Sequence, residues 1–131
     1  MIIIDTSFLV ALLHEDDAFH QQAISEMKKI EMETQLISDY VVNETATVLN
    51  NKAGLQKAIS FIEAIKSTEN VEIYHLDYYD FESTIKIFEK QRHKLSFIDA
   101  SIVHLALTTQ SKIATYDKNI IKEFEASKER L

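Results

Sequence analysis

Four carboxylates stand where the neighbouring residues are apolar: Asp5, Glu44, Asp99 and Asp117. Asp5 closes the run Ile2-Ile3-Ile4 and is followed by Thr6-Ser7-Phe8-Leu9-Val10. Asp117 comes after Ile113-Ala114-Thr115-Tyr116, again an apolar stretch, a hydroxyl residue and then an acid. Glu44 lies three residues after Val41 and four before Val48, so on a helix it shares their stripe. Asp99 lies three residues after Ser96, between Ile98 and Ala100, near the start of another apolar helix. Carboxylates gathered in one pocket repel one another, and without a cation at least one takes up a proton. A hard divalent cation resolves the conflict. Mg²⁺ takes oxygen ligands and keeps several waters, and Mn²⁺ is compatible with the same donors. Such a site acidifies a water and neutralises charge on a phosphodiester, with no histidine base. Each acid also has a purely structural reading. Asp5 and Asp117 could be N-caps, Asp99 could complete a capping box with Ser96, and Glu44 could reach solvent or pair with a lysine.

The elements that must position these acids follow from hydrophobic periodicity. Ile2-Ile3-Ile4 reads as a strand covered on both faces, which belongs to a parallel sheet. Thr6 or Ser7 is a fair N-cap for the helix after it. Asp5 is then at the carboxyl end of a buried strand, where open α/β sheets place ligands. An amphipathic helix is expected over Ala18 to Ile30, with Phe19, Ala23, Met27 and Ile30 on one face. A short strand at Leu36-Ile37 precedes a Ser38-capped helix from Asp39 to Asn51, which stops near Gly54. Leu55 to Lys66 reads as a helix with Leu55, Ala58, Ile59, Ile62 and Ile65 inward. Val71 to Leu76 alternates and reads as a strand toward the sheet edge. A long helix begins at Asp77 or Asp80 and runs to about Lys94, with Phe81, Ile85, Phe88 and Gln91 in line. Ser96 caps a helix over Phe97 to Thr109. Lys112 to Tyr116 is the fourth strand, and Asp117 opens a last helix carrying Ile120, Ile121 and Phe124. The charged end, residues 125–131, is expected to fray. Strands alternating with helices make an α/β fold: one parallel sheet of four to five strands, flanked by helices on both faces.

The 131 residues fit one domain, 46% apolar and 27% charged, with no Pro and a single Gly, so no linker is expected. There is no Cys, which excludes disulfides and thiolate zinc sites. No apolar run approaches the roughly 20 residues of a membrane span. The opening residues lack a signal peptide's basic lead and cleavage site, so a cytoplasmic setting is expected. The net charge of −7 argues against a general nucleic-acid binder. All 14 basic residues but Arg92 and Arg130 are lysines, so any nucleic-acid contact is expected at the backbone.

Ile4-Asp5-Thr6-Ser7, Glu44 on its helix, Ser96-Phe97-Ile98-Asp99-Ala100 and Thr115-Tyr116-Asp117-Lys118 resemble the signature of PIN-domain ribonucleases, in particular the VapC-type toxins. The resemblance spans residues 1 to about 124. It implies that Asp5, Glu44, Asp99 and Asp117 form an acidic metal cluster, with Ser7 hydrogen-bonded within it. It also implies Mg²⁺- or Mn²⁺-dependent RNA cleavage, homodimerisation and, for the toxin branch, a small antitoxin that covers the site. Two features depart from the family pattern. Ser111 stands where a Gly is usual before the fourth strand, and no fifth strand is evident after Phe124.

Lys52, Lys94 and Lys118 lie near these segments as candidate phosphate contacts, Thr115 is a supporting hydroxyl, and all three lysines also read as solvated surface. The five histidines lack metal-helix spacing and read as structural, with His104 the one near Asp99. Tyr74, Tyr78, Tyr79, Phe81 and Phe88 read as core or dimer contact in preference to an RNA-stacking platform. A haloacid-dehalogenase phosphatase would want an Asp at position 7, which is Ser. A response-regulator receiver would want an acidic pair after the first strand and an Asp directly after the third. The remaining alternatives are a PIN-like binding module without turnover and an RNA-processing nuclease outside a toxin–antitoxin pair.

Overall fold

Ile2–Ile4 is three β-branched residues with all side chains buried, and it forms β1, against which the sheet is built on both edges. In the computed structural model, which describes residues 1–130, it is joined by β2 (Gln35–Ser38), β3 (Val71–Tyr74) and β4 (Lys112–Ala114). The order is β3-β2-β1-β4, all parallel. Ile2 and Ile3 pair with Gln35 and Leu36 on one side. Ile2, Ile3 and Ile4 pair with Lys112, Ile113 and Ala114 on the other. The chain builds outward from β1 to β3 and then returns to lay β4 on the opposite edge of β1. The order therefore reverses between β1 and β4, and a crevice opens beyond their carboxyl ends.

Seven described helices flank the sheet: α1 (Thr6–Leu13), α2 (His20–Ile30), α3 (Asp39–Ala53), α4 (Leu55–Ser67), α5 (Tyr78–Glu89), α6 (Phe97–Thr109) and α7 (Lys118–Glu129). α1 packs on α2 and α3, and α3 on α4, while α6 packs between α5 and α7 and against β1. α6 is buried from Ala100 to Ala106 without a break, as expected of a helix that is apolar all round. Phe8, Ile3, Ile4, Ile37, Leu49 and Ile102 are among the fully buried side chains. Each such burial is worth roughly 1.5–3 kcal/mol before entropy is counted. Gly54 separates α3 from α4 with a φ of 94°, a conformation that disfavours any Cβ.

The structure corrects several expectations. α5 ends at Glu89, five residues short of Lys94, because residues 91–95 form a loop tethered to α7. Its inward face carries Asp80 and Thr84, leaving Phe81 and Phe88 partly exposed. Asp80 is buried because it is satisfied: it accepts from Tyr74 Oη at 2.7 Å and lies 2.8 Å from His104 Nε2. On α4 the inward residues are Ala58, Phe61 and Ile65, while Leu55 is 63% exposed and Ile59 and Ile62 face outward. The inward stripe is thus rotated toward Phe61. The expected frayed end is mostly helix: α7 runs to Glu129, with Ser127 buried and Arg130 paired to Glu123. Residue 131 lies outside the described residues. Four strands are present among the described residues and no fifth.

Candidate functional site

An open cleft of about 670 Å³ lies at the carboxyl ends of β1 and β4. Asp5, Glu44, Asp99 and Asp117 all line it, from the β1–α1 junction, α3, α6 and the β4–α7 junction respectively. Ser7, Lys52 and Lys118 line it too. Lys94 does not: it is exposed, on the loop before α6, and its backbone carbonyl accepts from Asn119 Nδ2 at 3.1 Å.

Three of the acids are held by the ends of helices. Asp5, not Thr6 or Ser7, is the N-cap of α1. Its Oδ2 accepts from Ser7 Oγ at 2.6 Å and from Thr115 Oγ1 at 2.7 Å, so hydroxyls from α1 and from the end of β4 meet on one oxygen. The same hydroxyls take backbone donors in turn: Tyr116 N–H bonds Ser7 Oγ, and Asp117 N–H bonds Thr115 Oγ1, both at 2.9 Å. Asp117 caps α7 through Oδ1, which accepts from Asn119 N–H at 2.9 Å. Asp99 and Ser96 form a reciprocal capping box on α6, with Ser96 N–H donating to Asp99 Oδ2 at 2.9 Å. These bonds fall on one oxygen of each aspartate; the second oxygen carries none of them. Three helix N-termini therefore present their partial positive ends to the cleft and offset part of the acids' repulsion.

The offset is incomplete. Burial pushes the Asp5 carboxyl above the usual carboxylate range, against the lowering bonds from Ser7 and Thr115. Asp5 is only 3% exposed. Burial also pushes the Asp99 carboxyl up, and the charges of Asp5 and Asp117 add to it. An oxygen-only donor set in which Asp99 is pushed up by the charges of Asp5 and Asp117 fits a hard cation such as Mg²⁺ or Mn²⁺. As they stand, however, no three His, Asp or Glu side chains among the described residues are grouped tightly enough to clasp an ion. Each of the three aspartates is anchored at its own helix end, so closing on a cation would require side-chain movement.

A loop clamp behind Asp99 was missed in the sequence. Glu123 of α7, 0% exposed, accepts from Arg92 N–H at 2.7 Å and His93 N–H at 3.0 Å. Its other oxygen accepts from Arg130 at 2.9 Å. With Asn119 bonding the Lys94 carbonyl, α7 holds the loop that leads into Ser96 and Asp99. The signal was available, because Glu123 shares a stripe with Ile120 and Ser127 just as Glu44 does with Val41 and Val48. A second omission is the pair Phe19 and Tyr116, whose rings stack beside the acids with centroids 4.6 Å apart and planes 4° from parallel. Distant in sequence, they offered no such signal. The five tyrosines and phenylalanines singled out earlier lie elsewhere: none lines this cleft, and Tyr78 and Tyr79 are exposed on α5. His104 is a core residue paired with Asp80, away from the acids.

The PIN domain family model matches residues 2–125. The chain belongs to the PIN domain family. Among solved structures, this PIN domain is similar in fold to Mycobacterium tuberculosis VapC20, described as a sarcin-ricin loop cleaving toxin. The TM-score is 0.83 at 23% identity, covering 93% of this chain and 94% of that one. It is also similar to FitAcB from Neisseria gonorrhoeae, with a TM-score of 0.70 at 14% identity over 95% and 94% of the two chains. The similarity to PAE2754 from Pyrobaculum aerophilum has a TM-score of 0.61 at 18% identity over 93% and 78%. No curated protein matches the sequence. No described helix is long and apolar enough to cross a membrane.

Proposed function

We propose that this PIN domain is a metal-dependent endoribonuclease that acts as a single domain in the cytoplasm, as the toxin of a VapBC-type toxin–antitoxin pair. The observation that supports it is the arrival of Asp5, Glu44, Asp99 and Asp117, from four separate segments, at one cleft on the sheet's switch point. The toxin assignment draws on the fold shared with VapC20 and FitAcB, and a small antitoxin and a second copy of the chain are the partners it calls for.

Asp5, Asp99 and Asp117, with Glu44, would hold Mg²⁺ or Mn²⁺. The cation supplies charge neutralisation at the scissile phosphate and an acidified water. The chain's own groups do the rest. Ser7 and Thr115 fix one oxygen of Asp5 so that the other is presented in a single orientation. Ser96 does the same for Asp99. Lys52 and Lys118, which line the cleft, would meet backbone phosphates as point charges.

The separation of the carboxylates favours a second reading, a PIN-like module that binds RNA or protein without cutting it. One experiment separates the two. Purified protein and Asp99→Asn are incubated with single-stranded and structured RNA in Mg²⁺ or Mn²⁺, and metal binding is followed by calorimetry. The nuclease reading expects cleavage by the parent and at least about 100-fold less by the variant, the loss of a transition-state charge contact. Equal cleavage by both would identify a contaminant. No cleavage by either protein, together with no metal uptake, would overturn the nuclease reading in favour of the binding module.

A further inference from the structure

Next to the acidic cleft is a second hollow of about 420 Å³, within the usual size of a small-molecule site. The two share a rim made of Phe19, Tyr116, Asp117 and Lys118. The floor of the second hollow is apolar, with Ile121 partly exposed, and Lys118 and Lys122 stand at its edge.

Its central feature is an aromatic stack that runs outward from the core. Phe8 is fully buried, and Tyr116 stacks on it with centroids 5.8 Å apart. Phe19 stacks on Tyr116 and is 44% exposed. Tyr116 is fixed from three directions: its ring by Phe8, its N–H by Ser7 Oγ, and its phenol by donation to Glu26 at 3.0 Å. Phe19 N–H donates to Asp17 at 2.9 Å, which holds the backbone at the start of α2. Phe19 is thus a preorganised ring that presents apolar surface to water beside a site for a charged polymer. Preorganisation lowers the protein's share of the ordering cost of binding.

We propose that this hollow is a nucleobase subsite: one base of the RNA strand stacks on Phe19 while the backbone runs past Lys118 toward the acids. The proposal rests on the nuclease reading and adds to it the contact that grips the substrate. A chain of net charge −7 gains little from general phosphate attraction. Stacking is uncharged, tolerant of sequence and insensitive to salt, so it supplies affinity where electrostatics cannot. Lys118 and Lys122 at the edge then provide local neutralisation for the flanking phosphates.

The test measures binding of a fluorescein-labelled single-stranded RNA decamer in EDTA, where no cleavage occurs, alongside a decamer of abasic ribose phosphates. Cleavage of the RNA decamer in Mn²⁺ is followed in parallel. Phe19→Ala and Phe19→Leu are each expected to weaken RNA binding about 10-fold, the size of one lost base stack. They should raise KM with little change in kcat and leave the abasic decamer's affinity unchanged. Phe19→Trp should restore binding, and the loss in the alanine variant should be the same at low and high salt. Phe19→Leu keeps the apolar bulk, so a folding defect in the alanine variant does not obscure the outcome. Wild-type RNA affinity in Phe19→Leu, or an equal loss on the abasic chain, would overturn the subsite and leave the aromatic pair to a protein partner. RNA cleavage by the parent combined with indifference to Phe19 would remove this inference alone. Absence of both binding and cleavage in the parent would remove the nuclease reading and the subsite with it.

Discussion

Asp5, Asp99 and Asp117 each serve folding with one carboxylate oxygen and are proposed to serve chemistry with the other. Substitution by Asn separates the roles, because an amide oxygen can still accept the capping bond. Asp5→Asn is expected to cut RNA cleavage by at least about 100-fold while raising the melting temperature of the metal-free protein. The rise has a definite pH dependence. The Asp5 carboxyl is raised above its ordinary value by burial, so its penalty is absent below the unfolded carboxylate range and grows as pH rises through the folded value. The gain should therefore be larger at pH 8 than at pH 4, as read by calorimetry; a large loss of melting temperature would mean that Asp5 serves the helix alone. At this scale the sequence was informative because an acid among apolar neighbours is conspicuous. It could not show which oxygen faces which partner, nor that Lys94 turns its backbone rather than its side chain to account.

Among the elements, α7 does more than close the sheet. Glu123 accepts two backbone N–H groups from the loop before α6 and pairs with Arg130. Glu123→Ala leaves three partly buried donors without a partner and is expected to cost about 3 kcal/mol. Because the loop leads into Asp99, hydrogen exchange in residues 91–96 should speed up more than in β1. Uniform acceleration across the chain would mean a global loss only. The element boundaries show where periodicity fails. The helix ends at Glu89 because the backbone of the following loop bonds across to α7, and no local signal encodes that. On α4 the apolar residues outnumber the positions that can face inward, so Leu55 and Ile62 fitted the pattern yet lie outward. Caps were among the more legible features: Ser38, Ser96 and Asp117 occupy the ends they predict, and Asp77 is the one of its two candidates that does, though α1 is capped by Asp5 and not by Thr6 or Ser7.

For the whole molecule, the sheet order was not readable from strands alone, yet it decides the site: Asp5 and Asp117 are neighbours only because β4 returns beside β1. Two sets of acids then compete in the response to pH. Asp80 and Glu123 are lowered below their usual values: hydrogen bonds to His104 and Tyr74 for the one, and to His93, Arg92 and Arg130 for the other, outweigh burial. Their stabilisation is present above the unfolded carboxylate range and lost as pH falls through their folded values. Asp5 and Asp99 have the opposite sign. Metal-free stability is therefore expected to peak on the acid side of neutrality, and saturating Mn²⁺ should shift the peak upward. At a hundredfold excess over Kd the ion should add about 2.7 kcal/mol, several degrees of melting temperature. That increment should vanish in Asp99→Asn; an equal increment in both proteins would place the ion elsewhere.

The two outer strands carry one last consequence. β3 and β4 are four and three residues long, and each bears a charge, Glu72 and Lys112, with Lys112 tethered to Glu33 at 3.1 Å. An exposed strand margin invites another chain to zip onto it, and brevity combined with charge is how soluble proteins blunt that invitation. Neutralising Lys112 and Glu72 together would make the margins stickier, and the damage would appear as turbidity on storage before it appeared in any assay of the cleft.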